Sequence, residues 1–141
     1  MNPEACHDER LARVLLCRVA EPGDVTLTRK VAEIGATAAV RSLLDGSLRG
    51  REAENWRARI PTARPERDLA IGEAVGARFI IPSDPEWPPS LDDLANLSEK
   101  HGGVPVGLWV RGALDLRAAC ERSVAIVGAR ASTAYGEYVA A

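Results

Sequence analysis

"SVAIVGARASTAYGEYVAA", residues 123–141, is the stretch of sequence that decides the predicted fold. Its run from Val124 to Val127 is apolar without alternation, which is typical of a strand covered on both faces in a parallel sheet. Gly128 ends that run, and the residues after it predict the start of a helix. A strand, a glycine turn and a helix in this order predict an α/β domain that binds its ligand at the carboxyl end of the strand.

The residues of this turn suit a phosphate group. Gly128 has no Cβ, so the backbone can approach a ligand closely. Arg130 offers a planar, permanently charged fork, with a surface ion pair as the alternative. Ser132 and Thr133 can cap the helix or donate to a phosphate oxygen, and the tyrosine that follows offers a ring for stacking or packing. The candidate phosphate-binding residues are Gly128, Arg130, Ser132, Thr133, Tyr135 and Gly136.

Several familiar sites are absent from the sequence. The dinucleotide pattern G-x-G-x-x-G needs glycine at 130 and 133, and the Walker pattern needs a lysine that is missing here. A dinucleotide cofactor and a nucleotide hydrolase are therefore disfavoured, and no cofactor is predicted. The three cysteines form no C-x-x-C pair, so no metal site is expected. No Ser/His/Asp or Cys/His arrangement is visible, and no catalytic residue is predicted.

The rest of the chain predicts two domains, 1–62 and 63–141. Short amphipathic segments indicate a small helical bundle of the helix-hairpin or sterile-alpha-motif kind. Its helices are expected to stop near Pro22-Gly23, Gly35 and Asp45-Gly46, with Ser47 capping the last helix. A further helix is expected over "ERDLAIGEAVGA", with the side chains of Leu69, Ala70, Ala74 and Val75 facing inward. "RFIIP" and "VGLWVRG" then predict two strands, so the second domain reads as the start of a Rossmann-like parallel sheet.

The net charge and the N-terminal sequence limit the partners and the location that can be predicted for the protein. The net charge of −2 gives no global case for a nucleic acid or a membrane partner. Residues 41–67 hold seven arginines against four acidic residues, a pattern that favours a solvated helical surface over a dedicated basic patch. The N-terminus has no apolar leader region, and no stretch approaches a membrane span. With an odd cysteine count, these features predict a cytoplasmic protein.

Three blocks of the second half resemble the DprA/Smf family, the DNA-processing proteins of natural transformation. The closing stretch is similar to the family's apolar strand, Gly-Ser/Ala-Arg and Thr-x-Tyr-Gly motif. "IIPSDPEWPPSLDDLA" resembles its aspartate and aromatic-proline segment, and "PVGLWVRGALDL" resembles its Leu-aromatic-x-Arg-Gly segment. The blocks stand in family order over roughly residues 79–139. Ala129 occupies a place that the family often fills with serine, so one hydroxyl contact is missing.

The resemblance implies a function that the residues alone do not. Proteins of this family bind incoming single-stranded DNA, protect it and load the RecA recombinase onto it; they are not enzymes in the usual sense, and they form homodimers. Carried over, the six residues of the turn become DNA contacts: Gly128 and Arg130 in Gly-x-Arg, Ser132 in the gap, and Thr133, Tyr135 and Gly136 in Thr-x-Tyr-Gly.

The helix that begins near Thr133 has no stop signal before Ala141. The family's sheet continues well beyond this point, so the chain is expected to be an N-terminal fragment of a longer protein. Two alternatives remain open. One is a Rossmann-like enzyme that acts on nucleotides or nucleoside phosphates, and the other is a helical protein-interaction module. Salt-dependent binding of single-stranded DNA would favour the family's role over both.

Overall fold

The structure, a computed structural model, describes residues 3–97, 102–125, 127–128, 131 and 133–140, with residues 3–7 and 140 described by their backbone alone. In this part of the chain the α-helices are α1 (Pro3–Val19), α2 (Val25–Ile34), α3 (Ala36–Leu44), α4 (Arg51–Arg59), α5 (Pro65–Ala74), α6 (Leu116–Glu121) and α7 (Ala134–Ala140). The strands are β1 (Ala77–Ile80) and β2 (Leu108–Arg111), and 3₁₀ helices span Ile60–Thr62 and Pro89–Asn96.

The first four helices form the predicted bundle. Its apolar core joins residues of α1 to α4, among them Leu16, Val19, Leu27, Leu43 and Trp56. The expected helix ends are confirmed: α1 ends just before Pro22-Gly23, and α2 ends at Gly35, whose φ of 81° suits glycine. Short helices of this kind are stabilised by the shared core and not by their own propensity.

The start of α4 corrects the prediction that Ser47 caps this helix. The residue before α4 is Gly50, and α4 begins at Arg51. The backbone N–H of Ser47 instead donates to Asp45 Oδ1 at 2.8 Å, and its hydroxyl lies 3.4 Å from the Ser42 carbonyl oxygen. Ser47 therefore belongs to the turn that follows α3, because serine and aspartate side chains stabilise turns as readily as helix starts.

Helix α1 buries two faces. Leu16 and Val19 face the bundle, whereas Val14 packs with Phe79 and Ile81 in a second cluster beside the strands. Cys17 contacts both clusters, and burial raises the pKa of its thiol to about 11 despite the nearby charge of Arg13. Residues on both sides of the predicted boundary at 62/63 thus pack on the same helix, and the division into two domains stays a prediction.

The loop before β2 is also bound to the bundle. The Gly103 N–H donates to the Gly23 carbonyl at 2.7 Å, and the Thr28 hydroxyl donates to the Val104 carbonyl at 2.9 Å. Arg13 Nη1 donates to the Val106 carbonyl at 2.6 Å. These bonds satisfy loop carbonyls that would otherwise be partly buried without a partner.

Two of the three predicted strands, "RFIIP" and "VGLWVRG", form, but their direction differs from the prediction. β1 and β2 pair antiparallel, with Ala77 opposite Arg111 and Ile80 opposite Leu108. The fold prediction of a mixed helix and strand chain is confirmed, whereas the parallel order is not what these two strands show. An apolar run indicates burial but does not encode strand direction, so the Rossmann-like sheet stays a prediction.

Helix α5 buries a different face from the one predicted. Leu69 is half-buried, but Ala70, Ala74 and Val75 are exposed, and the buried residue is Gly72. A Cβ at position 72 would overlap the indole ring of Trp109. Because Gly72 has no side chain, α5 can lie directly on β2. This contact determines which face of α5 is buried.

Candidate nucleic-acid interface

The glycine turn is exposed where the structure describes it. Val124 and Val127 are 89% and 90% exposed, and apart from the chain neighbours of Gly128 no described residue lies within 4 Å of the position that its Cβ would take. The described residues 123–125 and 127–128 belong to neither a helix nor a strand, so the predicted buried strand from Val124 to Val127 is not found in them. Arg130 and Ser132, like Ile126 and Ala129, lie outside the described residues. The open space at Gly128 is compatible with the close approach of a ligand.

The start of α7 brings together three of the predicted site residues. The Gly136 N–H donates to Thr133 Oγ1 at 3.2 Å, and the Glu137 N–H donates to the Thr133 carbonyl at 3.0 Å. Thr133 is therefore the helix cap that the sequence predicted as one of its two roles. Tyr135 is 77% exposed, so its ring does not pack into the core. Glu137 places a negative charge in the first turn of the same helix.

Asp84 of the "SDPEW" segment joins α1 to the end of β1. Its two carboxylate oxygens each accept a 2.8 Å hydrogen bond from Arg10, and Oδ2 also accepts from the Ile81 N–H at 2.9 Å. Arg10 Nη1 donates as well to the Phe79 carbonyl at 2.5 Å. This carboxylate supports the structure, and the sequence did not indicate the role because its arginine partner lies 74 residues away.

Glu86 and Arg78 join β1 to the segment that leads to the turn. Arg78 Nε donates to Glu86 Oε2 at 2.7 Å, and Arg78 Nη2 donates to Oε1. Arg78 also donates to the carbonyls of Gly112 at 2.6 Å and Leu114 at 2.8 Å. Glu86 Oε1 in turn accepts from the Leu116 N–H at 2.9 Å. The first turn of α6, six residues upstream of Arg122, is thereby held against the sheet.

The arginine-rich region 41–67 is partly structural. Arg57 donates to the carbonyls of Leu43 at 3.0 Å and Leu48 at 2.8 Å, and Arg59 donates to the Val19 carbonyl at 3.0 Å. The Val19 and Leu43 carbonyls lie in the last turns of α1 and α3, where intrahelical partners are lacking. This use of arginine is consistent with the predicted helical surface.

Hydrogen bonding at Asp84 has a consequence at acid pH. Burial by itself raises the pKa of Asp84, but the hydrogen bonds from Arg10 and from the Ile81 N–H outweigh it and hold the pKa below its usual value. The stability contributed by this ionised carboxylate is complete above its unfolded pKa of about 4. It is lost as the pH falls through the lower pKa of the folded state.

We expect Asp84→Asn to lower the free energy of unfolding at pH 7, and the deficit relative to the wild type to shrink as the pH falls below about 4. Urea unfolding between pH 7 and pH 2 measures both. Asp93→Asn, at an exposed position of the second 3₁₀ helix, is the matched control and should cost little at either pH. A deficit of Asp84→Asn that stays constant down to pH 2 would contradict this explanation.

The described residues contain no cluster suited to a metal ion and no membrane-spanning helix. No cluster of three or more His, Cys, Asp or Glu side chains there is arranged to hold a metal ion. None of the helices described is long and apolar enough to cross a membrane.

One comparison with known proteins covers residues 78–141, and the other covers most of the chain. Residues 78–141 match the family described as DNA recombination-mediator protein A. Two curated relatives from Mycobacterium tuberculosis, strains CDC 1551 / Oshkosh and ATCC 25618 / H37Rv, are each provisionally named DNA processing protein DprA. Each is 35% identical to the chain over 130 residues, which is 89% of this chain and 33% of the relative. The chain thus spans about a third of the length of these relatives. No solved structure matches it significantly.

Proposed function

Because this chain belongs, through residues 78–141, to the DNA recombination-mediator protein A family, we propose that it binds single-stranded DNA and mediates recombination. In this proposal the protein protects DNA taken up during transformation and loads the RecA recombinase onto it. The observation that carries the proposal is the family match over the segment that contains the glycine turn. The proposed partners are single-stranded DNA, RecA and a second copy of the protein, in the cytoplasm.

The exposed turn supports the DNA-binding part of this proposal. A single strand offers phosphates and unpaired bases, which proteins contact with cationic and aromatic side chains. Gly128 lies in open space, and Tyr135 is exposed beside Thr133 at the start of α7. Arg130 supplies the cation in the proposal. We propose a binding role without catalysis, since the sequence shows no Ser/His/Asp or Cys/His arrangement of a nucleophile with a general base.

Binding and loading are tested separately. Fluorescence anisotropy with an oligothymidine strand over a series of salt concentrations measures the DNA contact, and a steep fall of affinity with salt is expected. Assembly of RecA filaments on DNA coated with single-strand-binding protein measures loading. Binding without faster RecA assembly would remove the mediator role. Saturable nucleotide hydrolysis in place of DNA binding would favour a nucleotide-processing enzyme.

We expect Arg130→Ala to weaken binding of single-stranded DNA and to lower the salt slope by about one, because one phosphate contact is lost. The measurement is the fluorescence anisotropy of an oligothymidine strand, titrated with the whole protein that the gene encodes. Arg67→Ala, an exposed arginine of α5, is the control and should leave the slope unchanged. An unaltered affinity and slope in Arg130→Ala would exclude Arg130 from the contact.

A further inference from the structure

Two side chains on one face of β2, those of Trp109 and Arg111, are more exposed than their neighbours in the strand. Trp109 and Arg111 are two residues apart in the strand, so they point to the same side of the sheet. Both are exposed, whereas Leu108 and Val110, on the other side, are half-buried. Trp109 is 44% exposed, while Trp56 and Trp87 are buried in the core. An exposed aromatic ring and a cation therefore stand side by side at the end of β2.

Arg111 has no hydrogen-bond or ion-pair partner within the part of the chain that the structure describes. The nearby carbonyls of Gly112 and Leu114 accept from Arg78. Other arginines of the chain, such as Arg57 and Arg59, do donate to backbone carbonyls. Arg111 is thus available to an external anion.

The ring of Trp109 is held in place from one side only. It lies 5.1 Å from the Phe79 ring, centroid to centroid, at an interplanar angle of 59°, and it rests on Gly72 of α5. Its remaining surface borders an apolar cleft of about 600 Å³ between the bundle and α5. Ile71 and Val75, both half-exposed, line the same cleft. The ring is therefore a fixed platform beside an apolar space.

The carboxylates that line this cleft are ion-paired or hydrogen-bonded within the protein. Asp68 accepts from Arg18 at 2.5 and 2.7 Å. Glu21 pairs with Arg59 at 3.2 Å, and Asp24 accepts from the Leu27 N–H at 3.0 Å as the cap of α2. Arg111 is not a partner of any of these carboxylates.

We propose that Trp109 and Arg111 form a second contact for single-stranded DNA, in which a base stacks on Trp109 and a backbone phosphate binds Arg111. This inference rests on the proposed function. A cation beside an aromatic ring matches the alternation of phosphate and base along a single strand. Arginine also presents a fork that suits phosphate oxygens.

The position of this contact allows one strand to reach the glycine turn as well. Helix α6 is held to the sheet through Leu116 and Glu86, and a helix of its six residues extends about 9 Å. Residues 123–128 add at most about 20 Å when fully extended. The turn is therefore tethered within a short distance of the carboxyl end of β2, and a strand of several nucleotides can span both.

The test uses an oligothymidine strand and the protein as its gene encodes it. For Arg111→Ala we expect weaker binding and a salt slope reduced by about one. Arg117→Ala is the matched control, because this exposed arginine of α6 already pairs with Glu121 at 3.4 Å. For Trp109→Ala we expect roughly a fivefold to 150-fold loss of affinity.

Trp109→Phe keeps an aromatic ring, so it tests the stacking contact even if Trp109→Ala fails to fold. Since Trp56 and Trp87 are buried, the tryptophan fluorescence that DNA quenches should come from Trp109, and Trp109→Phe should abolish the quenching. Quenching that persists in this variant would overturn the stacking contact.

The two proposals fail in distinguishable ways. If Arg111→Ala binds like the wild type while Arg130→Ala is impaired, the second contact is wrong and the proposed function stands. If the wild type shows no salt-dependent DNA binding, both are wrong.

Discussion

Leu16→Ala is expected to lower the free energy of unfolding by about 2–5 kcal/mol, the usual cost of removing a fully buried leucine side chain. Leu16 is 0% exposed and lies in the core that joins α1 to α3. The loss combines the transfer free energy of the removed methyl groups with the cavity they leave, because close-packed neighbours relax only in part. Against a typical total of about 5–15 kcal/mol, this is a large fraction.

Urea unfolding followed by circular dichroism measures this effect as a lower midpoint at an unchanged slope. Leu44→Ala is the matched control, since Leu44 belongs to the neighbouring helix α3 and is 59% exposed. Its substitution should change the stability by less than about 0.5 kcal/mol. Equal losses in the two variants would show that Leu16 is not in the core described here.

Gly107→Ala is expected to destabilise the protein by about 1–3 kcal/mol through overpacking. A Cβ at this position would overlap the ring of Phe79. The ring cannot move away easily, because Phe79 is buried between Val14 and Ile81 and also contacts Trp109. Thermal or urea unfolding measures the loss, and the contact between Phe79 and Trp109 should be disturbed with it.

Gly128→Ala is the control for this effect. Apart from its chain neighbours, no described residue lies within 4 Å of the added methyl group, and the backbone at Gly128 is outside the left-handed region. We expect its stability to stay within about 0.5 kcal/mol of the wild type. Under the proposed function the same substitution should weaken DNA binding, because glycine there permits close approach. Unfolding of Gly128→Ala at lower urea would show that the turn is packed after all.

Local patterns in the sequence predicted most of the elements. Apolar residues at helical spacing indicated the bundle, and Gly35 marked the end of α2. "RFIIP" and "VGLWVRG" were correctly predicted as strands. Within the candidate site, Thr133 was correctly placed at the start of a helix. These features depend on contacts between residues a few positions apart, so they are legible in a single sequence.

Residues with competing local roles were less predictable. Ser47 is a good helix cap by type, yet it closes the turn after α3, and α4 starts three residues beyond it, after Gly50. In α5 the buried residue is a glycine, because the ring of Trp109 occupies the space that a side chain would need. In both cases the neighbours present in the folded protein decide between local options of similar free energy.

The sequence by itself determined where most of the helices and two of the strands form and which family the strand half resembles. Only the tertiary structure decided that β1 and β2 run antiparallel, that Arg10 holds Asp84 across 74 residues, and that Arg111 is exposed on the same face of β2 as Trp109. The physical reason is the range of the interactions. Periodicity and capping act within one or two turns, whereas strand direction and ion-pair partners depend on segments brought together only when the core packs.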